Sequence, residues 1–306
     1  MNTTSSGTGL LSNYEILAEQ EARFWGSVRP SAENPQLWDS PLLFEIFLKP
    51  QWDILIRTVC ALGEEVLEVG CGEGNLSIEL ATKGLHVHGL DISEERIRRG
   101  VEKSKQLLHS TAWRLPNFEV ADLNMKHLQP DRYNVVVAHD ALHHILDLEH
   151  LLDQIHRALR PGGSFVVYDY VGMSGVRKVL AAFLYAVLPT YQPYRMKLRL
   201  AKRLTRFMQS EEGKRHRLAR TSDISGDESP FEEISATSIV RLMENKFDVI
   251  DKQYFHPFFY YLAPKVRLPQ RFRKGILRAL VIMDEKILQM NISKGAYVYL
   301  VAKKRS

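Results

Sequence analysis

The sequence predicts an α/β protein with a doubly wound, mostly parallel, seven-stranded sheet and a helical lid insertion. Between residues 65 and 171, short apolar segments alternate with amphipathic ones. This alternation is typical of parallel strands joined by right-handed helical crossovers. The apolar segments are nearly continuous, so both faces of each strand are expected to be buried. A glycine-rich turn after the first strand marks the edge of the sheet where ligands bind in such folds.

Apolar runs and turn residues place the elements in order along the chain. Strands are predicted at residues 66–69, 87–90, 117–121, 133–138, 165–168, 247–250 and 296–302. Helices are predicted at residues 76–83, 93–108, 147–159, 176–208, 235–245 and 266–289. Ser93 is the expected N-cap of the second helix, and Gly84 and the Pro161-Gly162-Gly163 turn end the first and third.

The same pattern divides the chain into five parts. These are a disordered lead-in (1–13), an N-terminal helical cap (14–64), a cofactor-binding core (65–171), a basic helical lid (172–235) and a C-terminal completion of the sheet (236–306).

Composition predicts a globular protein of a reducing compartment. Of the 306 residues, 45% are hydrophobic and 25% are charged, which provides ample material for a core. The two cysteines, Cys60 and Cys71, form neither a disulfide framework nor a metal-binding spacing. The polar N-terminus has no export signal, and the longest apolar stretch, residues 179–188, is too short to span a bilayer. We therefore expect a cytoplasmic location.

Positive charge is concentrated in the C-terminal part. Residues 171–306 hold 26 of the 41 Lys and Arg residues but 12 of the 36 Asp and Glu residues. A solvated lid face is the ordinary interpretation, and an anionic substrate or peripheral contact with a membrane remains open. A nucleic-acid partner is disfavoured because the chain has no attached RNA-binding module.

A glycine-rich turn is the decisive motif. Residues 68–74 read Glu-Val-Gly-Cys-Gly-Glu-Gly, between a predicted strand and a predicted helix. Glycines allow positive φ angles and let the backbone approach a ligand, and the helix that follows offers free N–H groups. Dinucleotide-binding proteins instead use G-x-G-x-x-G to seat a pyrophosphate.

Two further carboxylates follow neighbouring strands. Asp91, in Gly89-Leu90-Asp91-Ile92, ends the second strand and is suited to accept hydrogen bonds from ribose hydroxyls. Asp122 follows the third strand and is suited to accept the amino group of adenine. Each Asp has an ordinary alternative, a helix cap for Asp91 and a tight turn for Asp122.

Together these motifs resemble those of class I S-adenosylmethionine-dependent methyltransferases of the small-molecule branch, over residues 66–170. Further matches are Ala141-Leu142-His143-His144-Ile145 and Leu159-Arg160-Pro161-Gly162-Gly163. The resemblance implies a Rossmann-like methyltransferase fold that binds S-adenosylmethionine. The residues that it implies for cofactor binding are Glu68, Gly70, Gly72, Gly74, Asp91, Ile92, Asp122, Leu123 and His139.

The C-terminal part resembles a bacterial methyltransferase group linked to glycan and secondary-metabolite pathways. The matching segments are residues 169–172, 229–234 and 297–303. Asp169 stands where that group has Glu, so the correspondence is partial.

Methyl transfer to an oxygen or nitrogen atom needs alignment and a group that accepts a proton. The catalytic candidates are Asp169, His143 and His144, which follow the fourth and fifth strands. The histidines are alternatively structural, and Asp169 alternatively pairs with an Arg of the lid. Trp25, on a predicted N-terminal helix, is a candidate cover for the cofactor. No clustered His and Asp set indicates a metal.

The sequence therefore predicts a methyltransferase acting on oxygen or nitrogen of a small-molecule or glycan-type acceptor. Two alternatives are a lipid or quinone methyltransferase at a membrane surface and a non-catalytic S-adenosylmethionine-binding regulatory protein. The acceptor and the oligomeric state remain open.

Overall fold

The protein is described here from a computed structural model. The structure describes residues 6–28, 37, 40–108, 114–173, 175–190, 194, 197 and 229–305. Most of the basic run predicted for the lid, residues 198–228, lies outside the described residues.

One seven-stranded sheet forms the centre, as predicted. Its strands are β1 (Glu65–Val69), β2 (His86–Asp91), β3 (Asn117–Val120), β4 (Tyr133–His139), β5 (Leu159–Tyr170), β6 (Phe247–Phe255) and β7 (Tyr297–Lys304). Their spatial order is β3-β2-β1-β4-β5-β7-β6. The first five strands pair in parallel, and β7 pairs antiparallel with both β5 and β6. The parallel strands therefore point their carboxyl ends toward one edge of the sheet.

Helices cover both faces of the sheet. They are α1 (Ser6–Ser27), α2 (Pro41–Leu43), a π-helical segment (Phe44–Leu48), α3 (Lys49–Leu62), α4 (Asn75–Thr82), α5 (Glu94–Leu108), α6 (Leu148–Ala158), α7 (Gly175–Val187), α8 (Ile239–Lys246), α9 (Phe259–Leu262) and α10 (Gln270–Gln289). Successive strand residues point to opposite faces. Val135 accordingly belongs to the apolar cluster that includes α3, whereas Val136 belongs to the cluster that includes α6 and α8.

Several helix ends match local capping chemistry. Ser93 caps α5 as predicted, because its Oγ accepts a hydrogen bond from Arg96 N at 3.4 Å. Asp147 caps α6 in the same way, accepting from His150 N at 2.9 Å. Beyond this cap, Leu148, Leu151 and neighbouring apolar residues of α6 are buried against the sheet.

Two boundaries near the N-terminus differ from the prediction. The lead-in predicted to be disordered over residues 1–13 is helical from Ser6, because a helix once started extends at little cost, each added residue contributing a backbone hydrogen bond. The predicted cap (14–64) also contains a layer of the core. Helix α3 packs on β4 and β5, with Leu55 and Val59 fully buried.

Strand β5 begins earlier than predicted. Tyr133 pairs with Leu159 and Val135 pairs with Ser164, so residues 160–163 bulge out of the strand ladder. The sequence instead predicts that a turn at these residues separates the helix from the strand. Gly162 adopts a φ of 76° within this bulge.

The helix predicted over 176–208 is broken after Val187, where α7 ends two residues before Pro189, which cannot donate a backbone hydrogen bond. Tyr194 and Lys197 are again helical, and residues 198–208 lie outside the described residues. Helix α8 begins at Ile239, not at residue 235. Ser235 donates hydrogen bonds to the carbonyl oxygens of His143 and Ile145, and these hold it outside the helix. Helix α10 likewise begins at Gln270, just after Pro269, four residues later than predicted.

Among the described residues, the helices fall short of the combination of length and apolar character that crossing a bilayer requires.

We predict that Leu151→Ala lowers the free energy of unfolding by about 2–5 kcal/mol, because it leaves a cavity where α6 meets the sheet. Leu151 is 0% exposed. Urea denaturation measures the change, and Glu149→Ala on the exposed side of α6 is the control. A loss below about 1 kcal/mol would contradict the packing described here.

Candidate active site

A cavity of about 450 Å³ lies at the carboxyl ends of the parallel strands. Ten of the twelve predicted site residues line it: Glu68, Gly70, Gly72, Asp91, Ile92, Asp122, Leu123, His139, His143 and His144. Gly74 and Asp169 do not. One end of the cavity, here called the glycine end, is formed by Glu68, Gly70, Gly72, Asp91, Ile92, Asp122 and Leu123. The other, here called the roof end, is formed by Glu21, Trp25, Asp140, His143, His144, Phe231, Glu232 and Tyr297.

The turn after β1 needs its glycines. Gly70, Gly72 and Gly74 have φ angles of 72°, 55° and 71°. A Cβ atom on Gly70 would lie 2.3 Å from Ala141 Cβ, so the turn and the loop after β4 approach as closely as glycine permits. Gly74 packs against Phe118 at the start of α4, which makes its role structural.

Glu68 is a buried carboxyl group at the floor of the glycine end. Ser77 Oγ donates a hydrogen bond to it. Burial raises the pKa of Glu68 to about 8, and the nearby charge of Asp91 acts in the same direction. A cationic amino group beside Glu68 would stabilise its ionised form, so this residue fits the methionine end of S-adenosylmethionine.

Asp91 ties the glycine turn to the start of α5. Its Oδ2 accepts from Gly72 N at 2.8 Å and its Oδ1 from Ser93 N at 2.9 Å. Each oxygen keeps a lone pair, so the carboxylate fits a ribose diol as well as its structural role.

Asp122 is contacted from α1. Tyr14 donates its hydroxyl hydrogen to Asp122 Oδ2, and Asn124 N donates to Oδ1 at 2.9 Å. Burial, followed by the charge and hydrogen bond of Asp122, raises the pKa of Tyr14 far above its usual range, so Tyr14 keeps its proton. Helix α1 thus reaches the glycine end of the cavity.

His139 forms an aromatic wall between the two ends. Its ring stacks on Tyr168 at 5.4 Å and meets the edge of Trp52 at 5.2 Å. Burial lowers its pKa to about 4, so His139 is neutral near pH 7.

Asp169 does not reach the cavity, which corrects its expected role as a direct base. It is fully buried, and Oδ2 accepts from Ala141 N at 2.9 Å and Leu142 N at 2.7 Å. His143 Nδ1 donates to Oδ1 at 2.6 Å. The loop after β4 occupies both oxygens, and this makes Asp169 a positioning residue.

The two neighbouring histidines differ in charge. Burial disfavours a charged His143, but Asp169 and, less strongly, Asp140 and Glu232 outweigh it and raise the pKa to about 9. Burial and the positive charge of His143 lower the pKa of His144 well below its usual range. Near pH 7 the loop therefore offers one cationic and one neutral imidazole.

Helix α1 and residues 229–231 form a roof in which the role of Glu21 was not predicted from the sequence. Glu21 is 2% exposed and accepts hydrogen bonds from Trp25 Nε1 at 2.7 Å, Ser229 Oγ at 2.7 Å and Phe231 N at 3.3 Å. His144 Nδ1 lies 3.5 Å from Glu21 Oε1. The sequence did contain one signal for this arrangement: the i, i+4 spacing of Glu21 and Trp25 places both side chains on the same face of α1.

Trp25 lines the roof end, as the expectation of a cover requires. Arg96 lies over its ring at 5.1 Å, and His144 meets the ring edge-on at 5.0 Å. In the structure, the ring face is therefore already in contact with a protein cation.

Asp140 is a second residue that the sequence analysis missed. It lines the cavity with a φ of 52°, which is unusual for a residue other than glycine. Its Oδ1 is buried and has no hydrogen-bond partner among the described residues. The sequence signal that could have identified Asp140 is its position directly after β4, at the edge of the sheet where ligands bind.

From the sequence we expected no cluster of His and Asp residues that could hold a metal. The structure corrects this expectation, because two such groups are present in the part of the chain that it describes. Among the described residues, the ligand atoms of His143, His144 and Glu232 lie within 4.8 Å of one another, as do those of Asp140, His143 and Asp169. Residues distant in sequence meet because the 229–232 segment folds over the loop after β4. In the second group, both Asp169 oxygens are already engaged.

A family model described as a methyltransferase domain matches residues 62–214 of the chain. Phosphoethanolamine N-methyltransferase 1 of Arabidopsis thaliana is 35% identical over 109 residues, covering 35% of this chain and 21% of that protein. Ubiquinone biosynthesis O-methyltransferase of Xylella fastidiosa (strain 9a5c) is 32% identical over 140 residues, covering 44% and 51%. The matches thus span about a fifth to a half of these relatives.

A solved structure of geranyl diphosphate methyltransferase, in complex with GPP and sinefungin, has the same fold. The TM-score is 0.53 at 15% identity, covering 94% of this chain and 98% of that one.

We predict that Asp91→Ala weakens S-adenosylhomocysteine binding about ten- to a hundredfold, because charge-assisted hydrogen bonds contribute about 1.5–3 kcal/mol. Calorimetry measures the affinity, and Glu94→Ala, at an exposed acid of α5, is the control. Unchanged affinity in a folded Asp91→Ala variant would contradict the assignment of the glycine end.

Proposed function

The chain belongs to the methyltransferase-domain family, and we propose that it transfers a methyl group from S-adenosylmethionine to an oxygen or nitrogen atom of a small-molecule or glycan-type acceptor. The observation that carries this proposal is the continuity of the cavity. The glycine end, which fits the cofactor, opens directly into a roof end that holds a neutral histidine.

When bound, S-adenosylmethionine supplies a methyl carbon activated by a positively charged sulfur atom. The chain's own contribution is to orient both reactants and to exclude water. Glu68 and Asp91 bind the two ends of the cofactor, and Asp122 with Leu123 holds the base. The roof of α1 and residues 229–231 shields the cavity from solvent.

His144 is the proposed group that accepts a proton from the acceptor. It is neutral, and its Nδ1 faces Glu21 and Ser229, each 3.5 Å away. Its Nε2 has no hydrogen-bond partner among the described residues. When Nε2 takes the proton, Glu21 beside Nδ1 stabilises the imidazolium.

Asp169 affects this proton transfer indirectly, by holding the loop that carries His144. It fixes the backbone at Ala141 and Leu142 and orients His143, so that His144 is presented on a rigid loop. The Asp169–His143 pair also keeps a positive charge next to His144, which favours its neutral form.

A membrane-associated acceptor is a second candidate, and one observation favours it. Helix α7 exposes an apolar face of Val179, Leu180, Phe183 and Val187. Co-sedimentation with vesicles that contain anionic lipid tests this candidate. Binding that Phe183→Ser abolishes supports it, and no binding by the full-length protein contradicts it.

Incubation with radiolabelled S-adenosylmethionine and a low-molecular-mass extract of the source organism tests the leading proposal. We expect labelled product from the native protein and at least tenfold less from Asp91→Ala. Cofactor binding without transfer to any component, even in a single turnover, would support a non-catalytic binding protein instead.

We predict that Asp169→Asn lowers turnover about ten- to a hundredfold while S-adenosylhomocysteine affinity changes less than about twofold. Asp169 accepts hydrogen bonds from Ala141 N, Leu142 N and His143 Nδ1. The NH2 group of asparagine cannot accept a hydrogen bond, so it would oppose one of these donors. Label transfer gives the rate and calorimetry the affinity. Equal turnover would remove Asp169 from the catalytic apparatus, and parallel loss of both would assign it to the fold alone.

A further inference from the structure

The roof end is rich in carboxylates. Glu21, Asp140 and Glu232 all line it. Among the described residues, neither Glu21 nor Asp140 forms an ion pair with a Lys or Arg side chain. The positive charge of His143 acts on both of these carboxyl groups, but its Nδ1 is already bonded to Asp169. Glu21 and Asp140 are therefore two carboxyl groups of the cavity wall that have no Lys or Arg ion-pair partner among the described residues.

The local conformation of Asp140 points to a ligand. Asp140 has a left-handed backbone conformation, which is strained in a residue other than glycine and tends to occur at functional sites. The backbone N of Asp140 donates to Tyr168 O at 2.9 Å, which holds this geometry at the end of β4. Asp140 thus lines the cavity with a carboxyl group that hydrogen-bonds with Tyr297 and whose buried Oδ1 has no hydrogen-bond partner among the described residues.

The surrounding groups favour a cation as that ligand. Burial raises the pKa of Asp140 to about 7 and also raises the pKa of Glu21, although the charge of His143 acts in the opposite direction on both groups. A cationic ligand beside them would stabilise their ionised forms. Trp25, Phe231 and Tyr297 add aromatic rings to the same wall. Carboxylates combined with aromatic rings are the recurrent environment for positively charged nitrogen.

Building on the proposed function, we propose that the acceptor is a primary or secondary amine that enters as its ammonium form, with its nitrogen held by the carboxyl group of Asp140 at the roof end. Asp140 would thus select amines as the substrate class of the cavity. An alcohol of the same shape leaves the buried carboxylate without a counter-charge and binds more weakly.

The ammonium must lose one proton before its nitrogen becomes a nucleophile. One N–H bond breaks, the proton forms a new bond to His144 Nε2, and the electron pair stays on nitrogen. Positive charge moves from the ligand to the imidazole, where Glu21 faces it at 3.5 Å. Net charge in the roof end is unchanged by this step.

The test uses the full chain, radiolabelled S-adenosylmethionine and the low-molecular-mass extract described above, and the extract is divided into two portions. One portion is treated with the N-hydroxysuccinimide ester of acetic acid, which blocks primary and secondary amines and leaves most hydroxyl groups intact. We expect labelled product to fall at least tenfold with the blocked portion. Equal label in both portions overturns the amine proposal, whereas no label in either overturns the proposed function.

Asp140→Asn tests the residue itself, because asparagine tolerates the left-handed conformation and keeps the shape of the side chain. We expect at least tenfold less label with the untreated extract and S-adenosylhomocysteine affinity within twofold of native. Glu149→Gln, an exposed acid on α6, is the matched control. Native label transfer by Asp140→Asn overturns its assignment.

A divalent metal ion is the competing cation, since His143, His144 and Glu232 also meet here. Label transfer is therefore repeated in EDTA. Persistence of the amine-dependent product supports an ammonium. Loss in EDTA that added Mg²⁺, Mn²⁺ or Zn²⁺ restores overturns the proposal in favour of a metal site.

Discussion

One buried carboxylate organises the edge of the sheet at which the cavity lies. Asp169, at the end of β5, accepts two backbone hydrogen bonds from the loop after β4 and a third from His143. Backbone N–H groups in such a buried loop need acceptors, and here a single side chain supplies them. The conformation of Asp140, the charge of His143 and the placement of His144 all follow from this arrangement. The roof then closes on a loop that is already rigid.

The sheet was largely predictable, because apolar runs and Gly or Pro turns record burial and chain reversal locally. Strand β1 and helix α5 match their predicted positions within a residue or two. The boundaries that failed depend on partners distant in sequence. Leu159 is a strand residue because it pairs with Tyr133, and Ser235 stays outside α8 because it bonds to the loop after β4.

The site was predictable where one motif holds its residues, and not where distant segments meet. The glycine turn and Asp91 lie within a short stretch, so their proximity could be inferred. Glu21 meets Ser229 only in the folded chain, 208 residues away, and no spacing rule reveals such a contact. Asp169 was predicted as a catalytic candidate, but the structure buries it outside the cavity, where three donors occupy its carboxylate.

The position of β7 between β5 and β6 has a consequence for how the chain acquires its structure in the cell. β5 ends at Tyr170, but its neighbour β7 begins only at Tyr297. During synthesis, the open edge of β5 must wait until that last strand leaves the ribosome, and unpaired strand edges invite aggregation. The nascent chain therefore passes through a vulnerable interval in which a chaperone that shields exposed strand edges benefits it most.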